Sequence, residues 1–505
     1  MLQATRTRCL GQFFLGGLLV LPWLNPYAAG PSPAVWPWLI SAACMVFLGL
    51  FRRRLGFELI AVTWLLAAAV SAVVGLLQYF GVAQALGFMV SQTSPGEAFA
   101  NLRQRNQFAT LLSIGLAALT GWLAQRPPGR SVPLWAYFLA FLLALGNAAS
   151  ASRTGFVQWG LVLLLAAAWF IRSRRALLLF GLQAMLAYLM AVITLPWLLA
   201  LTTGVAHEGL LGRFGETSSC ASRWVLWSNV LTLIGQKPWL GWGWGELDYA
   251  HYMAFYDGPR FCEILDNAHN LPLHLAVELG IPVALAVCGG FVWWALRQRP
   301  WRETDPSRQM AWGVLAVILL HSLLEYPLWY GPFQMAFGLS LGLLWGSRRV
   351  PASPLESPPN QSPMAFSQAL AATVLMAFVG YAGWDYHRIS QIYLAPEARD
   401  AAYRDDTLPK IRHSWLFRNQ VRFAELTITP LTRDNAQWTF DTATALLHYS
   451  PEPRIIEKVI ESAVMLGRDD EALLHLARYR AAFPVDHARW AQEASAAPEH
   501  LQRLK

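Results

Sequence analysis

Charged side chains are scarce in this sequence. They make up 14% of its 505 residues, whereas 55% of the residues are hydrophobic, and an ordinary soluble domain carries roughly a quarter charged residues. This composition excludes a disordered chain and a simple soluble protein. The charge is also uneven, because residues 386–505 hold 32 of the charged residues. We therefore interpret the first part of the chain as membrane-embedded and the last part as a soluble domain.

The motifs of several common enzyme classes are missing. The sequence contains no His-Glu-x-x-His, no paired Cys-x-x-Cys and no Walker glycine loop, and the Gly-x-Ser-x-Gly at 338–342 lies inside an apolar run and not in a strand-to-helix elbow. It therefore predicts no metal, no cofactor and no serine-based hydrolysis. Five cysteines are too few for a disulfide scaffold. Cys220 and Cys262 share one long outer loop, so a disulfide between them is a hypothesis, with two unpaired buried thiols as the alternative.

Eleven apolar runs are long enough to cross about 30 Å of hydrocarbon as helices. They cover residues 10–29, 34–51, 57–83, 106–125, 132–150, 155–172, 176–203, 271–296, 309–330, 331–346 and 365–385. Because irregular backbone is not tolerated in lipid, these runs predict an all-α fold, a polytopic membrane helix bundle.

Arginine clusters occupy every second connection between these runs. The clusters are Arg6 and Arg8; Arg52, Arg53 and Arg54; Arg126 and Arg130; Arg172, Arg174 and Arg175; Arg297, Arg299, Arg302 and Arg308; and Arg348 and Arg349. By the positive-inside rule the N-terminus is inside and the C-terminal domain is outside. Although the net charge is +8, we interpret the clusters as a topology signal and predict no nucleic-acid partner. Alternatively, the first run is a signal peptide ending near Ala28 and Ala29.

These features divide the chain into six segments. They are transmembrane helices (1–203), an outer loop with an interfacial helix (204–270), further transmembrane helices (271–349), a cytoplasmic linker (350–364), a last transmembrane helix (365–385) and a C-terminal soluble helical domain (386–505). In that domain Ile456, Val459, Ile460 and Ala463 share one helical face, Gly467 can end the helix, and Asp469 can cap a second helix with Ala472, Leu473, Leu476 and Ala477. This hairpin resembles one tetratricopeptide unit, and a small helical domain without repeats is the alternative.

Polar side chains collect at the outer ends of the predicted spans. They are Arg103, Gln104, Arg105 and Asn106; Ser152, Arg153 and Thr154; Arg213 and Arg223; Asn267, His269 and Asn270; and His321 and Glu325. Polar groups in or beside a membrane are costly and usually functional. A pore would carry such residues through the depth of the bilayer, so this arrangement predicts a site that faces the outer leaflet.

Two arginines are candidates for binding phosphate. Arg153 lies in Ser-Arg-Thr-Gly between two long runs, and Arg223 begins an apolar stretch that is too short to span and reads as an interfacial helix. Guanidinium groups bind phosphate oxygens bidentately and keep their charge. The functional hypothesis is a diphosphate clamp, and the structural alternative is snorkelling to lipid headgroups.

His269 is the candidate general base. It lies in Asn-Ala-His-Asn at a predicted membrane boundary, and imidazole can take up a proton near neutral pH. A histidine that only satisfies packing is the alternative. His274 and Glu278, four residues apart, can form a structural pair. Gly-Trp-Gly-Trp-Gly at 241–245 predicts a tight aromatic turn, with a sugar-stacking platform as the alternative.

Five sequence boxes occur in the order found in the O-antigen ligase and polymerase superfamily. Ser-Arg-Thr-Gly near 153, Arg223 followed by Lys-Pro-Trp-Leu-Gly-Trp-Gly-Trp-Gly, and Asn-Ala-His-Asn-Leu-Pro-Leu-His resemble that superfamily. Asn-Leu-Arg-Gln-Arg-Asn-Gln-Phe-Ala at 101–109 and His-Ser-Leu-Leu-Glu-Tyr-Pro-Leu-Trp at 321–329 are similar to the PglL-type protein O-oligosaccharyltransferases. The resemblance covers residues 1 to about 350, and the tail is similar to the C-terminal region of the same subgroup.

The resemblance implies a bacterial inner-membrane enzyme whose active site faces the periplasm. Such an enzyme takes a glycan from an undecaprenyl diphosphate carrier and transfers it en bloc to a Ser or Thr hydroxyl of a pilin or another periplasmic protein, without metal. His269 would activate the acceptor hydroxyl, and Arg153 and Arg223 would bind the diphosphate. Attack opposite the diphosphate would invert the anomeric centre. Candidates for acceptor contact or structural support are Arg105, Asn106, Asn267, His321 and Glu325, with His321 also the reserve base.

The sequence departs from the family pattern at Gln107, where the family often has His. Other functions also stay open at this stage. The same chemistry would serve an O-antigen ligase acting on lipid A core or a Wzy-type polymerase extending a carrier-linked glycan. A transporter of lipid-linked sugar would need charged residues near the bilayer midplane and two matching halves with discontinuous helices, and apart from His274 and Glu278 the sequence shows neither. A purely structural scaffold would leave the outer Arg and His residues without a purpose.

Overall fold

The computed structural model describes residues 2–206, 209–213, 220–346 and 363–496. These residues form α-helices joined by turns and short 3-10 segments, and contain no β-strand. The all-helical prediction is therefore confirmed for the described part of the chain. Most of the predicted linker 350–364, together with Arg348 and Arg349, lies outside the described residues.

The helices follow one another along the chain. In order they are α1 (Leu2–Leu24), α2 (Val35–Leu50), α3 (Phe57–Tyr79), α4 (Arg105–Ala124), α5 (Leu134–Ala149), α6 (Arg153–Phe170), α7 (Arg175–Thr203), α8 (Gly209–Arg213), α9 (Arg223–Gln236), α10 (Leu247–Met253) and α11 (Leu271–Leu279). They continue as α12 (Ile281–Ala284), α13 (Gly290–Gln298), α14 (Pro306–Ser322), α15 (Gly331–Gly346), α16 (Pro363–Ser390), α17 (Thr407–Ile411), α18 (Arg418–Ile428), α19 (Ala436–Leu446), α20 (Pro453–Met465), α21 (Asp469–Ala482) and α22 (Pro484–Ala496).

Six helical segments are long and apolar enough to cross a membrane. Within the described residues they are Phe57–Tyr79, Arg105–Ala124, Arg153–Phe170, Arg175–Thr203, Ile281–Arg302 and Phe366–Tyr393. Shorter apolar helices lie at Leu10–Leu24, Val35–Leu50 and Leu134–Ala149. A multi-pass membrane protein is therefore supported, while the count of eleven spans and their orientation stay predictions.

The described residues separate into two compact units. Unit 1 comprises those within Met1–Glu216 and Ala295–Gly383, and unit 2 those within Thr217–Trp294 and Trp384–Lys505. In unit 1, α4 packs against α3, α5, α6 and α14, and its side chains are buried on every face. A helix that is apolar on all faces is expected at the centre of a bundle. The burial of α4 agrees with this expectation.

Unit 2 contains two apolar clusters. In the first, α9 packs on α11 through Leu226, Val230 and Leu233, so the predicted helix after Arg223 is confirmed. In the second, the tail helices α18–α22 pack together with Tyr252 of α10. The hydroxyl of Tyr252 lies 2.9 Å from His475 Nδ1, which ties the outer loop to the tail.

The predicted tail hairpin exists, with one face assigned incorrectly. Ile456, Val459, Ile460 and Ala463 are buried on α20 as expected. On α21, however, Leu473 is 60% exposed, and the buried positions are Ala472, Tyr479 and Ala482. The N-cap position of α21 is Arg468, so Asp469 is the first helical residue and not the cap.

Two predicted runs are interrupted. The run 271–296 breaks after α11, because Gly280 adopts a left-handed conformation with φ of 89° and Pro282 lacks an amide donor. The candidate span therefore begins at Ile281. The run 309–330 ends as a helix at Ser322, and residues 323–330 form a turn that contains the 3-10 segment Pro327–Trp329.

The Gly-Trp-Gly-Trp-Gly segment is a turn bonded to the end of α11. The amides of Trp242 and Gly243 donate to the carbonyls of Val277 (2.8 Å) and Glu278 (2.9 Å). The indole of Trp242 donates to the Leu233 carbonyl at 3.0 Å and lies 3.9 Å from Lys237 Nζ. The predicted tight turn is therefore confirmed, and Trp242 is held within the protein by these contacts.

We expect the substitution Gly241→Ala to destabilise unit 2. Gly241 has φ of 70°, and a Cβ there would overlap the backbone of Glu278. The left-handed conformation alone costs a non-glycine residue about 1–2 kcal/mol, and the overlap adds to this. The measurement is the melting temperature of the purified chain.

The matched control is Gly235→Ala in α9. A Cβ at Gly235 meets nothing within 4 Å, and alanine is favoured over glycine in a helix, so its melting temperature should be unchanged or higher. Equal melting temperatures for the two variants would contradict the packing described for Gly241.

Candidate active site

Three helices begin at predicted site residues, and a side chain caps each of them. Ser152 Oγ accepts from the amide of Gly155 at 3.0 Å, and Ser222 Oγ accepts from the amide of Val225 at 3.3 Å. Asn270 Oδ1 accepts from the amide of Leu273 at 3.1 Å. Arg153 and Arg223 are consequently the first residues of α6 and α9, and His269 directly precedes the cap of α11.

His269 has a constrained backbone. Its φ is 50°, a left-handed value that costs free energy in a non-glycine residue and recurs at functional sites. Asn267, which is buried, accepts the amide hydrogen of His269 on Oδ1 at 2.9 Å. Asn267 thus supports His269 through its backbone. The imidazole itself is half-buried.

Two residues of α9 that the sequence did not mark as site residues hold this segment, and one of them, Trp227, was expected only to face lipid or the bundle. The indole of Trp227 donates to the Ala268 carbonyl at 3.1 Å. The buried side chain of Asn229 donates to the Pro259 carbonyl (3.0 Å) and accepts from the Phe261 amide (2.8 Å). Both lie one or two turns after Arg223. The sequence signal that could have identified Asn229 is its position as a polar residue on the apolar face of the helix.

A disulfide joins the segment before α9 to the loop between α9 and α11. Cys220, just before α9, is bonded to Cys262, seven residues before His269. The pairing hypothesis is therefore confirmed in this structure. The loop that carries His269 is attached at this bond, at Asn229 and at Trp227.

The neighbouring histidines of unit 2 are buried in structural contacts. His251 Nδ1 lies 2.8 Å from Tyr256 Oη, and Nε2 lies 3.2 Å from the Phe261 carbonyl. Burial, followed by the positive charge of Arg260, lowers the pKa of His251 to about 3, so this side chain is neutral near pH 7. His274 Nε2 lies 3.4 Å from Glu278 Oε2, and both side chains are almost fully buried, as the structural-pair prediction required.

Unit 1 contains a second cluster of predicted site residues. Glu325, which is 6% exposed, accepts from Asn106 Nδ2 at 3.4 Å and from Gln104 Nε2 at 3.5 Å. Asn106 Oδ1 in turn accepts from the Ser152 hydroxyl at 2.6 Å. Because Ser152 caps α6, this chain of hydrogen bonds runs from Glu325 to the helix end where Arg153 begins. Arg153 itself is exposed.

His321 is fully buried in unit 1. Its Nδ1 lies 2.8 Å from Thr110 Oγ1, and the Thr110 hydroxyl also lies 2.7 Å from the Asn106 carbonyl. A hydroxyl has one proton to donate. When Thr110 donates it to that carbonyl, the imidazole must carry its hydrogen on Nδ1. With 0% exposure, His321 cannot reach a substrate hydroxyl in this conformation, which argues against its use as the reserve base.

Side chains of the box at 101–109 form contacts that fix the connection between α3 and α4. Asn101 Nδ2 donates to the carbonyls of Leu24 (2.8 Å) and Met89 (3.0 Å). Arg103 donates to the Pro26 carbonyl, and Arg105 forms an ion pair with Glu97. Arg105 is therefore in a support position. Gln107, the residue that departs from the family pattern, is buried.

No group of three or more His, Cys, Asp or Glu side chains that suits a metal ion occurs among the residues that the structure describes. The predicted site residues are instead arginines, amides, imidazoles and a carboxylate. Such a set can bind an anion through guanidinium groups and move a proton through an imidazole.

Three family models match this chain. The O-antigen ligase model matches residues 138–288, which include Arg153, Arg223 and His269. The protein glycosylation ligase model matches residues 98–124. A third model, the C-terminal part of virulence-factor membrane-bound polymerases, matches residues 309–497, which include Glu325 and most of the tail.

Two curated relatives come from Acinetobacter baylyi. A general O-oligosaccharyltransferase is 26% identical over 272 residues, which are 51% of this chain and 46% of the relative. A ComP-specific O-oligosaccharyltransferase is 23% identical over 303 residues, which are 59% of this chain and 53% of the relative. The matches thus span about half the length of these relatives. The resemblance to O-antigen ligases and PglL-type glycosylation ligases, first seen in the motifs, is confirmed.

Proposed function

We propose that this chain is an oligosaccharyltransferase that moves a glycan from undecaprenyl diphosphate to a Ser or Thr hydroxyl of a pilin or another periplasmic protein. The proposal depends above all on one observation. His269, within the segment matched by the O-antigen ligase model, has a constrained backbone beside the capped end of α11, whereas His251, His274 and His321 are buried.

In the proposed reaction His269 acts as the general base. The acceptor hydroxyl gives its proton to the imidazole while its oxygen forms a bond to the anomeric carbon of the glycan. The bond from that carbon to the diphosphate oxygen breaks, and undecaprenyl diphosphate leaves with the electron pair. Attack from the opposite face inverts the anomeric centre. A positioned base typically contributes about a hundred- to ten-thousandfold to such a step.

Arg153 and Arg223 are assigned to the diphosphate. Each is the first residue of a helix, where the partial positive charge of the helix makes a cation unfavourable and an anion favourable. A bound diphosphate would offset this cost, because it interacts with both the guanidinium group and the helix end. Fixed positive charge also stabilises the negative charge that develops on the leaving oxygen.

The inner membrane and the periplasm complete the proposal. The six candidate spans support insertion into a membrane. The disulfide between Cys220 and Cys262 supports an oxidising compartment for the outer loop. The arginine pattern supports a position of that loop on the side opposite the cytoplasm.

A glycan acceptor is the second candidate. The match of residues 309–497 to the polymerase model favours it, because the same transfer to a sugar hydroxyl would extend a carrier-linked glycan. Lengthened carrier-linked glycan without any modified protein would identify a polymerase, and modified lipid A core would identify an O-antigen ligase.

We expect His269→Ala to abolish protein glycosylation, because the hydroxyl loses its base. The assay combines the full chain in detergent, undecaprenyl diphosphate-linked glycan, a candidate pilin and EDTA, and reads the intact mass of the pilin. The matched control is His413→Ala, which removes an exposed tail histidine and should leave transfer unchanged. Wild-type transfer by the His269 variant would exclude the base assignment, and transfer that EDTA stops would exclude a metal-independent reaction.

We expect Arg223→Lys to weaken the use of the donor strongly, because an ammonium group cannot form the bidentate contact to a phosphate. The readout is the KM for undecaprenyl diphosphate-linked glycan at saturating acceptor. Arg433→Lys in the tail, where the side chain is exposed, is the control and should behave as wild type. An unchanged KM and kcat for the Arg223 variant would remove this residue from the diphosphate site.

We expect Glu325→Gln to lower kcat/KM for the donor by about ten- to a hundredfold, because a misplacement of about 1 Å can cost up to about a hundredfold. A carboxylate only accepts, so it turns the NH2 group of Asn106 towards itself and the oxygen towards Ser152. Glutamine can donate instead and let Asn106 turn away from Ser152. Glu58→Gln, at an exposed position, is the control. A loss confined to the melting temperature, with normal kinetics, would mean that Glu325 has a structural role only.

A further inference from the structure

A cavity of about 320 Å³ lies in unit 1 between two connections that the proposed reaction does not use. One connection joins α4 to α5 and the other joins α6 to α7. Its lining includes the four arginines Arg126, Arg130, Arg174 and Arg175. Leu123 and Leu177, both buried, form the apolar part of the wall where helices α4 and α7 meet the connections.

One hydrogen bond joins the two connections, and a second lies within the connection between α4 and α5. Arg174 Nη1 donates to the backbone carbonyl of Arg126 at 2.7 Å, and Arg126 Nη1 donates to the carbonyl of Ser131 at 3.3 Å. Arg126 and Arg174 are half-buried, whereas Arg130 and Arg175 are exposed. The cavity therefore has two anchored guanidinium groups and two at its rim.

The lining contains no acidic residue. Residues 125–133 and 171–175 include five arginines and neither Asp nor Glu, and none of the four lining arginines has a carboxylate partner among the described residues. Elsewhere in unit 1 such charges are neutralised, as in the pairs Arg105–Glu97 and Arg308–Glu303. Like charges gathered around one cavity repel one another, and a bound anion would relieve that repulsion.

The surroundings favour an anion with an apolar attachment. Leu134 and Leu179, next to the connections on α5 and α7, are 84% and 58% exposed. The helix α7 is one of the candidate membrane spans, so these side chains are suited to contact lipid chains at the level of the headgroups. The cavity lies at the opposite end of α4 from Arg105, about 30 Å away along a helix of 20 residues.

We propose that this cavity binds an anionic phosphate group, with an anionic phospholipid headgroup as the favoured source and free phosphate as the other. The positive-inside rule requires only that basic residues lie in these connections. It does not require that four of them surround one cavity or that two be anchored by hydrogen bonds. Guanidinium groups match the geometry of phosphate oxygens, which accounts for the use of arginine at all four positions.

The test measures binding to the purified full chain by native mass spectrometry and by titration in detergent. The probes are short-chain phosphatidylglycerol, short-chain phosphatidylcholine and inorganic phosphate. We expect phosphatidylglycerol to bind the wild type best, and Arg126→Gln combined with Arg174→Gln to weaken it roughly a hundredfold or more, the loss expected for two charge-assisted hydrogen bonds.

Two further variants keep the result interpretable. Arg130→Gln with Arg175→Gln removes only exposed rim charges, so it should preserve the melting temperature while also weakening binding. Arg52→Gln with Arg172→Gln removes two exposed arginines that do not line the cavity, and it should bind as the wild type does. This control matches the change in net charge.

Each outcome decides the proposal. Tight binding of phosphatidylglycerol, with weak binding of inorganic phosphate, supports a headgroup site, and equal binding of phosphate that competes with the lipid supports a free-phosphate site. Wild-type binding by both cavity variants overturns the proposal. So does an equal loss in the Arg52 and Arg172 control, because that result would mean that only the overall charge matters.

Discussion

Hydrogen bonds at the first turns of three helices determine where the candidate site residues lie. The first amides of a helix have no partner within it, and Ser152, Ser222 and Asn270 each accept from one of these amides. Arg153 and Arg223 directly follow two of the caps. Loss of a cap would fray the same turn that carries the functional side chain, so local stability and site geometry depend on the same atoms.

Buried polar groups extend this dependence into the bundle of unit 1. A polar side chain surrounded by apolar helices is costly unless it is hydrogen-bonded. Glu325 and Asn106 satisfy each other and reach Ser152, and His321 is bonded to Thr110 in the same region. In the box at 321–329 the histidine is buried, and the glutamate is hydrogen-bonded to Asn106 of a neighbouring helix.

Arginine occurs in unit 1 in two kinds of environment. Arg105 and Arg308 have carboxylate partners at 2.5 Å and 2.7 Å, and they hold loops in place. Arg126 and Arg174 line a cavity without acidic residues, where their charge is available to a ligand. Arginine thus stabilises loops where a carboxylate is its partner, and in the proposed anion site it has no carboxylate partner among the described residues and binds the ligand.

Local sequence determined much of this protein. The apolar patterns predicted helices such as α9 and α20, because helical periodicity depends on residues a few positions apart. Tertiary contacts decided the rest. The sequence could not show that Glu325 faces Asn106, 219 positions earlier, that His321 is buried or that Leu473 is exposed. Those properties depend on which helix faces pack together, and packing joins residues whose separation along the chain carries no periodic signal.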